Sequence, residues 1–181
     1  LAKNVSDVFI CCDDSKILKI AKKFGAKAVL TSSHHKNGTD RICEAYKKIG
    51  KNYDLILDVQ GDEPLISPMH IDKVIDFHKK NQEADIILPN LEINATNNTN
   101  IVKIVSDKNN NVLYISRANI PFEFIEKVKK IKKHLSIVSF KPEALLKFGK
   151  SKRAPIEKIE DIELLRALHI GLKIKTLNSK A

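Results

Sequence analysis

Apolar and polar positions alternate along the chain in a way that predicts strands separated by amphipathic helices. The apolar runs typical of buried strands lie at residues 8–12, 28–30, 55–59 and 86–88. The segments between these runs carry apolar residues at helical spacing. Gly25 ends the first helical pattern, and Ser67 followed by Pro68 predicts the start of another helix. Strands and helices in this order form βαβ crossovers, so we expect a mainly parallel sheet.

The middle of the chain has a different pattern. Apolar runs at 101–105 and 112–115 flank a polar segment, Asp107 to Asn111, which is typical of a hairpin turn. We therefore expect a small antiparallel insertion over about 101–122. The remaining predicted elements are strands at 135–140 and 174–177, a short helix from Pro142, and an amphipathic helix at 160–169.

Composition places the chain among globular proteins. Its 181 residues are 43% apolar and 30% charged, which favours one folded domain over residues 1–181. No apolar run reaches the roughly 18 residues that span a bilayer, and the first residues lack a signal-peptide pattern. Cys11, Cys12 and Cys43 fit neither a disulfide framework nor a CxxC site, so we expect reduced thiols. We predict a cytoplasmic protein without membrane insertion.

The net charge of +10 raises the hypothesis of nucleic-acid binding. Only four of the 32 basic residues are arginines, and the lysines lie mostly at polar positions of the predicted helices. Aromatic residues are not interleaved with them, as stacking on bases requires. We therefore interpret the charge as a solvated lysine-rich surface and predict no nucleic-acid partner. Steeply salt-dependent binding to DNA would support the alternative.

The segment from Asp58 to Pro64 joins a buried strand to a glycine turn that carries two acids. Ligands of open α/β sheets bind beyond the carboxyl ends of the strands, and an aspartate there can hold a hard cation against a phosphate. Asp62 is therefore our candidate metal ligand. The alternative is an ordinary Gly-Asp turn with a solvated acid.

The segment from His34 to Arg41 surrounds one glycine with hydroxyl, amide, acidic and guanidinium groups just before a helix. Such a turn can present backbone N–H groups and an arginine to an anion. The alternative is a simple helix start, with Thr39 as the N-cap and Asp40 in the first turn.

Later polar residues have simple structural interpretations when each is taken alone. Arg117 after a strand fits a surface charge, and His134 fits a surface histidine. Glu163 fits a solvated helix face on which it forms an ion pair with Arg166.

Taken together and in order, these segments resemble the CMP-Kdo synthetase family, the cytidylyltransferases that activate the eight-carbon acid sugar Kdo for lipopolysaccharide. Residues 37–41 resemble its SGTDR element, and residues 59–64 are its VQGDEP. Residues 114–121 resemble YFSRAxIP, residues 133–138 resemble KHLGIY, and residues 155–171 resemble PLExxExLEQLRxLxxG. The resemblance extends over essentially the whole chain.

The resemblance implies an α/β, Rossmann-like three-layer nucleotidyltransferase fold with a mainly parallel sheet. It implies transfer of CMP from CTP to an acidic sugar, with release of pyrophosphate and a requirement for Mg²⁺. A homodimer is also implied. The implied site residues are Asp62 for catalysis and Mg²⁺, Asn37, Gly38, Thr39, Arg41 and Gln60 for the nucleotide, and Arg117, His134 and Glu163 for the sugar.

Two features of the chain depart from this family. Val138 and Leu164 replace a tyrosine and a glutamine of the sugar pocket, which leaves a related sugar such as a nonulosonate as an alternative. The phosphate-binding loop before residue 1 and the second metal-binding aspartate after residue 181 are missing. We therefore expect an internal fragment that is inactive by itself, with a noncatalytic nucleotide-binding module as the other alternative.

Overall fold

The computed structural model describes residues 2–61 and 65–179. Its helices are α1 Ser15–Lys23, α2 Gly38–Ile49, α3 Pro68–Lys80, α4 Pro142–Lys150, α5 Pro155–Glu160 and α6 Leu164–His169. Its strands are β1 Phe9–Cys12, β2 Lys27–Leu30, β3 Ile56–Val59, β4 Ile86–Asn94, β5 Lys103–Ser106, β6 Val112–Ser116, β7 Lys130–His134, β8 Ile137–Phe140 and β9 Ile174–Ser179. None of the helices in these ranges is long and apolar enough to cross a membrane.

Local signals explain where the first helices begin and end. The Asp14 side chain accepts a hydrogen bond from the Lys16 amide at 2.6 Å and caps α1. Gly25 follows that helix with a φ of +76°, a backbone conformation that glycine adopts without steric cost. The predicted start of α3 is confirmed, because Ser67 is its N-cap and Pro68 its first residue.

The prediction of a mainly parallel sheet is wrong. Parallel pairing joins β1 to β2 in a small sheet and β4 to β9 in the large one. The other pairings of the seven-stranded sheet, in the order β3-β8-β4-β7-β5-β6, are antiparallel. The cause lies at residues 130–140, where the chain forms β7 and β8 and both run antiparallel to β4. An apolar run reports burial and not strand direction, so the sequence pattern did not contain this information.

Three strands still end at the same edge of the sheet although the sheet is not mainly parallel. Because β8 is antiparallel to both β3 and β4, those two strands run in the same direction, and β9 is parallel to β4. The carboxyl ends of β3, β4 and β9 therefore lie at one edge of the sheet. The crevice beyond that edge is where α/β proteins bind ligands.

The core lies on both faces of the large sheet. One face packs on α3, where the buried cluster contains Val74, Ala84, Ile87 and Ile137. The other face carries a larger cluster that brings together strands β3 to β6, β8 and β9 with α2, α4 and α6. β4 is the central strand, and its residues Ile86 to Asn90 are all buried.

The antiparallel insertion is confirmed. Strands β5 and β6 pair through Ile104 and Ile115, and the turn between them is closed by Asn110 with a φ of +63°. β5 also pairs with β7, so the insertion extends the large sheet. All three cysteines are free, and Cys12 and Cys43 are buried, as expected for reduced thiols in the core.

The single helix predicted at 160–169 is wrong. Asp161 adopts a left-handed conformation with a φ of +50° and separates α5 from α6. The interpretation of this region as a solvated helix face with one ion pair is also wrong. Arg166 is only 2% exposed and lies among acidic residues of the core.

Candidate active site

Polar side chains converge on one face of the sheet, near the carboxyl end of β3. Ile56 belongs to the larger core cluster, and side chains of a strand alternate between faces, so Asp58 points to the same side. Asn90 is the middle residue of β4, and His134 of β7 is its direct cross-strand partner. Asp58 and Asn90 are 8% and 0% exposed. Polar residues in such a buried row need partners from the protein or from a ligand.

The start of α2 lies over this row. The Asn37 side chain accepts a hydrogen bond from the Asp40 amide at 2.8 Å, which makes Asn37 the N-cap. The interpretation of Thr39 as the N-cap is therefore wrong, whereas Asp40 does lie in the first turn. Thr39 lies in the first turn and is fully buried. A Cβ added to Gly38 would come within 3.4 Å of Asp58 Oδ2, so the start of α2 lies against the end of β3.

Two of the predicted site residues meet directly. The Thr39 amide donates to Glu163 Oε2 at 3.1 Å, although the two residues are 124 positions apart in the sequence. This bond joins the predicted nucleotide-binding segment to the predicted sugar-binding residue. The Glu163 carboxyl is also close enough to Asp58 for their charges to interact.

Burial keeps the carboxyl groups of Asp58 and Glu163 partly protonated near neutral pH. Burial raises the pKa of Asp58 to about 6, and its buried Oδ2 has no hydrogen-bond partner among the described residues. Burial, together with the nearby charge of Asp58, raises the pKa of Glu163 to about 7 against the opposing effect of the Thr39 amide. A carboxylic acid with such a pKa can donate or accept a proton at a substrate oxygen.

A buried arginine fixes the position of α2. Arg166 donates to both oxygens of Asp40, at 2.8 and 3.0 Å, and to both oxygens of Glu157, at 2.9 and 2.7 Å. Its guanidinium carbon lies 4.1 Å from the ring centre of Phe148. Because Asp40 is in the first turn of α2, this network connects α5 and α6 to the loop that carries Asn37.

Arg41 is already engaged with protein groups. Its guanidinium donates to Asp13 Oδ2 at 2.7 Å and to Thr31 Oγ1 at 2.9 Å. Asp13 and Thr31 directly follow β1 and β2, so Arg41 lies at the carboxyl ends of the small parallel sheet. Contact between Arg41 and a nucleotide stays a prediction.

Arg117 lies at the junction between α5 and α6. Its Nε donates to the Glu160 carbonyl at 2.8 Å, and its terminal nitrogens lie 3.3 Å from the carbonyls of Asp161 and Thr99. The Glu160 carboxylate accepts from the Arg117 amide at 2.8 Å and from the Ser116 hydroxyl at 2.7 Å. These contacts attach the end of the antiparallel insertion to the segment that precedes Glu163.

His134 is enclosed and uncharged. Burial, with a further contribution from the charge of Lys133, lowers the pKa of His134 to about 4. Its Nε2 is buried and finds no hydrogen-bond partner in the part of the chain that the structure describes. The predicted role of His134 in sugar binding is therefore that of a neutral hydrogen-bonding group.

The predicted metal site lies mostly beyond the described structure. Asp62 falls outside the described residues, while the amide of Gln60 donates to the Ser136 carbonyl at 3.1 Å. Within residues 2–61 and 65–179, no group of three or more His, Cys, Asp or Glu side chains is arranged to hold a metal ion. The described residues by themselves do not fit a Mg²⁺ site, and the predicted Mg²⁺ depends on Asp62.

Sequence reasoning missed three residues of this region: Asp58, Asn90 and Arg166. Asp58 and Asn90 interrupt apolar strand runs, and a polar residue on the buried face of a strand was the signal available for them. Arg166 gave no comparable signal, because its partner Asp40 is 126 positions away and its partner Glu157 lies in a separate helix.

Comparisons with known proteins agree on one family. The profile of the family described as "Cytidylyltransferase" matches residues 1–174. The 3-deoxy-manno-octulosonate cytidylyltransferase of Nitratiruptor sp. is 41% identical over 96% of this chain and 75% of its own length. The 8-amino-3,8-dideoxy-manno-octulosonate cytidylyltransferase of Shewanella pealeana is 37% identical over 97% of this chain and 74% of its own length. A solved structure of CMP:2-keto-3-deoxy-manno-octonic acid synthetase complexed with CTP superposes with a TM-score of 0.90 and 26% identity, covering 99% of this chain and 75% of that one.

Proposed function

The chain belongs to the cytidylyltransferase family, and we propose that it transfers CMP from CTP to an acidic sugar of the 3-deoxy-manno-octulosonate type. In this reaction a sugar hydroxyl oxygen attacks the α-phosphorus of CTP, and the bond to the β-phosphate breaks. The products are the CMP-sugar, pyrophosphate and the proton of the hydroxyl. The relatives carry names for two sugars of this type, one with a hydroxyl and one with an amino group at position 8.

One observation carries the proposal: Thr39 and Glu163 share a hydrogen bond at the carboxyl edge of the sheet. A transferase must hold its two substrates within reach of each other. The 37–41 segment is the proposed nucleotide side, and Glu163 with Arg117 and His134 is the proposed sugar side. Their direct contact supports a single site in which nucleotide and sugar meet.

The residues of the site have distinct proposed tasks. The start of α2 contributes the positive end of its helix dipole, which favours the anionic nucleotide. Gln60, which directly follows β3, and the 37–41 segment orient the cytidine end. Glu163, with a pKa raised to about 7, exchanges hydrogen bonds with sugar hydroxyls in either protonation state.

Mg²⁺ is part of the proposal through Asp62. When bound, the ion would supply neutralisation of the charge at the α-phosphate. Burial raises the pKa values of Asp58 and Glu163, and these two acids are not the ligands we propose. In the sequence Asp62 is the third residue after Val59, with which β3 ends.

The names of the relatives favour an octulosonate over a nonulosonate as the sugar substrate. Val138 and Leu164, which differ from the family pattern, are only 2% and 3% exposed and belong to the hydrophobic core. Their side chains fill the core, so the polar contacts of the sugar fall to other residues. A nonulosonate remains the second candidate because these two positions lack the usual polar groups.

We further propose a cytoplasmic homodimer. The segment after β6 exposes Phe122, Phe124 and Ile125 to 83%, 85% and 90%. Adjacent exposed aromatic and aliphatic side chains are typical of an interaction surface. Light scattering of the purified protein would show twice the monomer mass if the proposal is correct.

The proposed reaction is tested by pyrophosphate release from the full-length protein with CTP, Mg²⁺ and either Kdo or a nonulosonate. We expect turnover with Kdo, and no turnover with either sugar would contradict the proposal. CTP binding without turnover would favour the noncatalytic alternative.

Asp62→Asn should lower kcat by about 100-fold or more, since it removes the charge but not the shape of the side chain. Asp54→Asn, a change of an exposed acid before β3, is the matched control and should retain full activity.

A further inference from the structure

The Asn90 side chain is held in one orientation by its neighbours. Its Nδ2 donates to Thr176 Oγ1 at 2.6 Å and to Asn178 Oδ1 at 2.8 Å. The Thr176 hydroxyl gives its own hydrogen to the Leu88 carbonyl at 2.7 Å, so toward Asn90 it acts only as an acceptor. A flipped amide would place its oxygen against two acceptors, which fixes Oδ1 on the opposite side.

The oxygen that results from this orientation has no partner among residues 2–61 and 65–179. Asn90 is 0% exposed, and its buried Oδ1 accepts no hydrogen bond from this part of the chain. His134 is the direct cross-strand neighbour of Asn90, and its Nε2 is also buried and unpaired within the same ranges. Directly opposed residues on adjacent strands point to the same face. Two buried polar atoms of neighbouring residues on the site face of the sheet therefore lack partners in the described structure, a costly arrangement unless a further group completes it.

The chemistry of the two atoms selects the group that fits between them. Asn90 Oδ1 can only accept, which excludes a carboxylate. The charge of Lys133 acts on the His134 ring and disfavours an ammonium group at the same position. A neutral hydroxyl satisfies both atoms. It donates to Asn90 Oδ1 and accepts from His134 Nε2 when the single hydrogen of the neutral ring is on that nitrogen.

From these observations we infer that Asn90 is a sugar-positioning residue, which together with His134 holds one hydroxyl of the acidic sugar on the face of the sheet that also carries Asp58. The inference rests on the proposed function and adds Asn90 to the sugar side of the site. It also assigns a positioning role to Thr176, which fixes the Asn90 amide without touching the sugar. Asn178, the other acceptor for that amide, is exposed and marks the side from which the sugar approaches.

The test measures steady-state kinetics of the full-length protein with Kdo and CTP as separately varied substrates. Asn90→Leu keeps the size of the side chain and removes its oxygen. We expect the KM for Kdo to rise by about tenfold or more, with the KM for CTP within about twofold of the unmodified protein. Thr176→Val should raise the KM for Kdo by a smaller factor, because the Asn90 amide then loses its fixed orientation.

A matched control comes from the other face of the sheet. Ser139 is also 0% exposed, and its hydroxyl is hydrogen-bonded to His78 Nδ1 at 2.7 Å. Ser139→Ala removes a comparable buried polar group and should leave the KM for Kdo unchanged. An unchanged KM for Kdo in Asn90→Leu would overturn the inference, since Asn90 and His134 would then enclose only a structural water.

A second measurement covers the case in which Asn90→Leu does not fold. In ¹⁵N spectra of the histidine rings, addition of Kdo to the unmodified protein should shift the Nε2 signal of His134, assigned through its loss in His134→Gln. Absence of a shift at saturating Kdo would also overturn the inference. Failure of the proposed function itself has a different signature, namely no pyrophosphate release with any acidic sugar.

Discussion

Replacement of Arg166 by leucine tests the role of the buried ion network in the stability of the protein. The side chain is 2% exposed and makes four hydrogen bonds of 3.0 Å or less to Asp40 and Glu157. Arg166→Leu leaves Glu157, which is 0% exposed, with one arginine partner and one backbone amide. Removal of one member of a buried ion pair costs about 3–5 kcal/mol, so we expect a loss of that size in the free energy of unfolding. Urea denaturation followed by circular dichroism measures it, and the Tm should fall by roughly 6–20 °C.

The chain offers a matched control for this change. Arg153 contacts the same Glu157 at 3.0 Å, but its side chain is 32% exposed. Arg153→Leu should cost only about 0–1 kcal/mol, as expected for a solvated pair. The double variant Arg166→Leu/Glu157→Leu should recover part of the stability, because it removes the uncompensated buried charge. The reasoning is refuted if Arg166→Leu costs less than about 1 kcal/mol or no more than the control.

Three further predictions follow from burial and packing. The raised pKa values, about 6 for Asp58 and about 7 for Glu163, mean that the folded protein binds these protons more tightly than the unfolded chain, so the free energy of unfolding should fall as pH rises from about 4 to about 7. Urea midpoints should show this fall, and a fall of equal size in the double variant Asp58→Asn/Glu163→Gln would contradict it. The His134 C2 proton should titrate in NMR spectra with a midpoint of about 4, and a midpoint near 6.5 would show that the ring is exposed. Gly149→Ala should destabilise the protein by about 1–3 kcal/mol, because a Cβ there overlaps the Cys43 sulfur of α2, and Cys43→Ala should restore the stability if the overlap is the cause.

The hydrophobic pattern was sufficient for most of the elements but not for their arrangement. The helix starting at Pro68 and the hairpin around Asn110 follow from local signals, which act within a few residues and are visible in the sequence. The direction of β8 depends on its long-range pairing with β3 and β4. A buried strand is apolar whether its neighbours are parallel or antiparallel, so the pattern gave no information on this point.

The site was predictable to the extent that short motifs carry chemistry. Thr39 and Glu163 were selected from separate motifs, and the structure brings them into contact. The fixed Asn90 amide was not predictable, because its orientation depends on the hydroxyl of Thr176, 86 residues away. Residue types alone do not reveal which buried polar atoms lack a partner, since this depends on packing among distant strands.

The central position of β4 also determines when the large sheet can be completed during translation. β4 pairs on one side with β7 and β8 and on the other with β9, whose residues Ile174–Ser179 are among the last of the described chain. During translation the edge of β4 that faces β9 therefore stays open until those residues have left the ribosome. An open, apolar strand edge is a template for pairing with other chains. Synthesis that stalls before residue 174 should accordingly yield aggregates, whereas chains that include β9 cover this edge of β4.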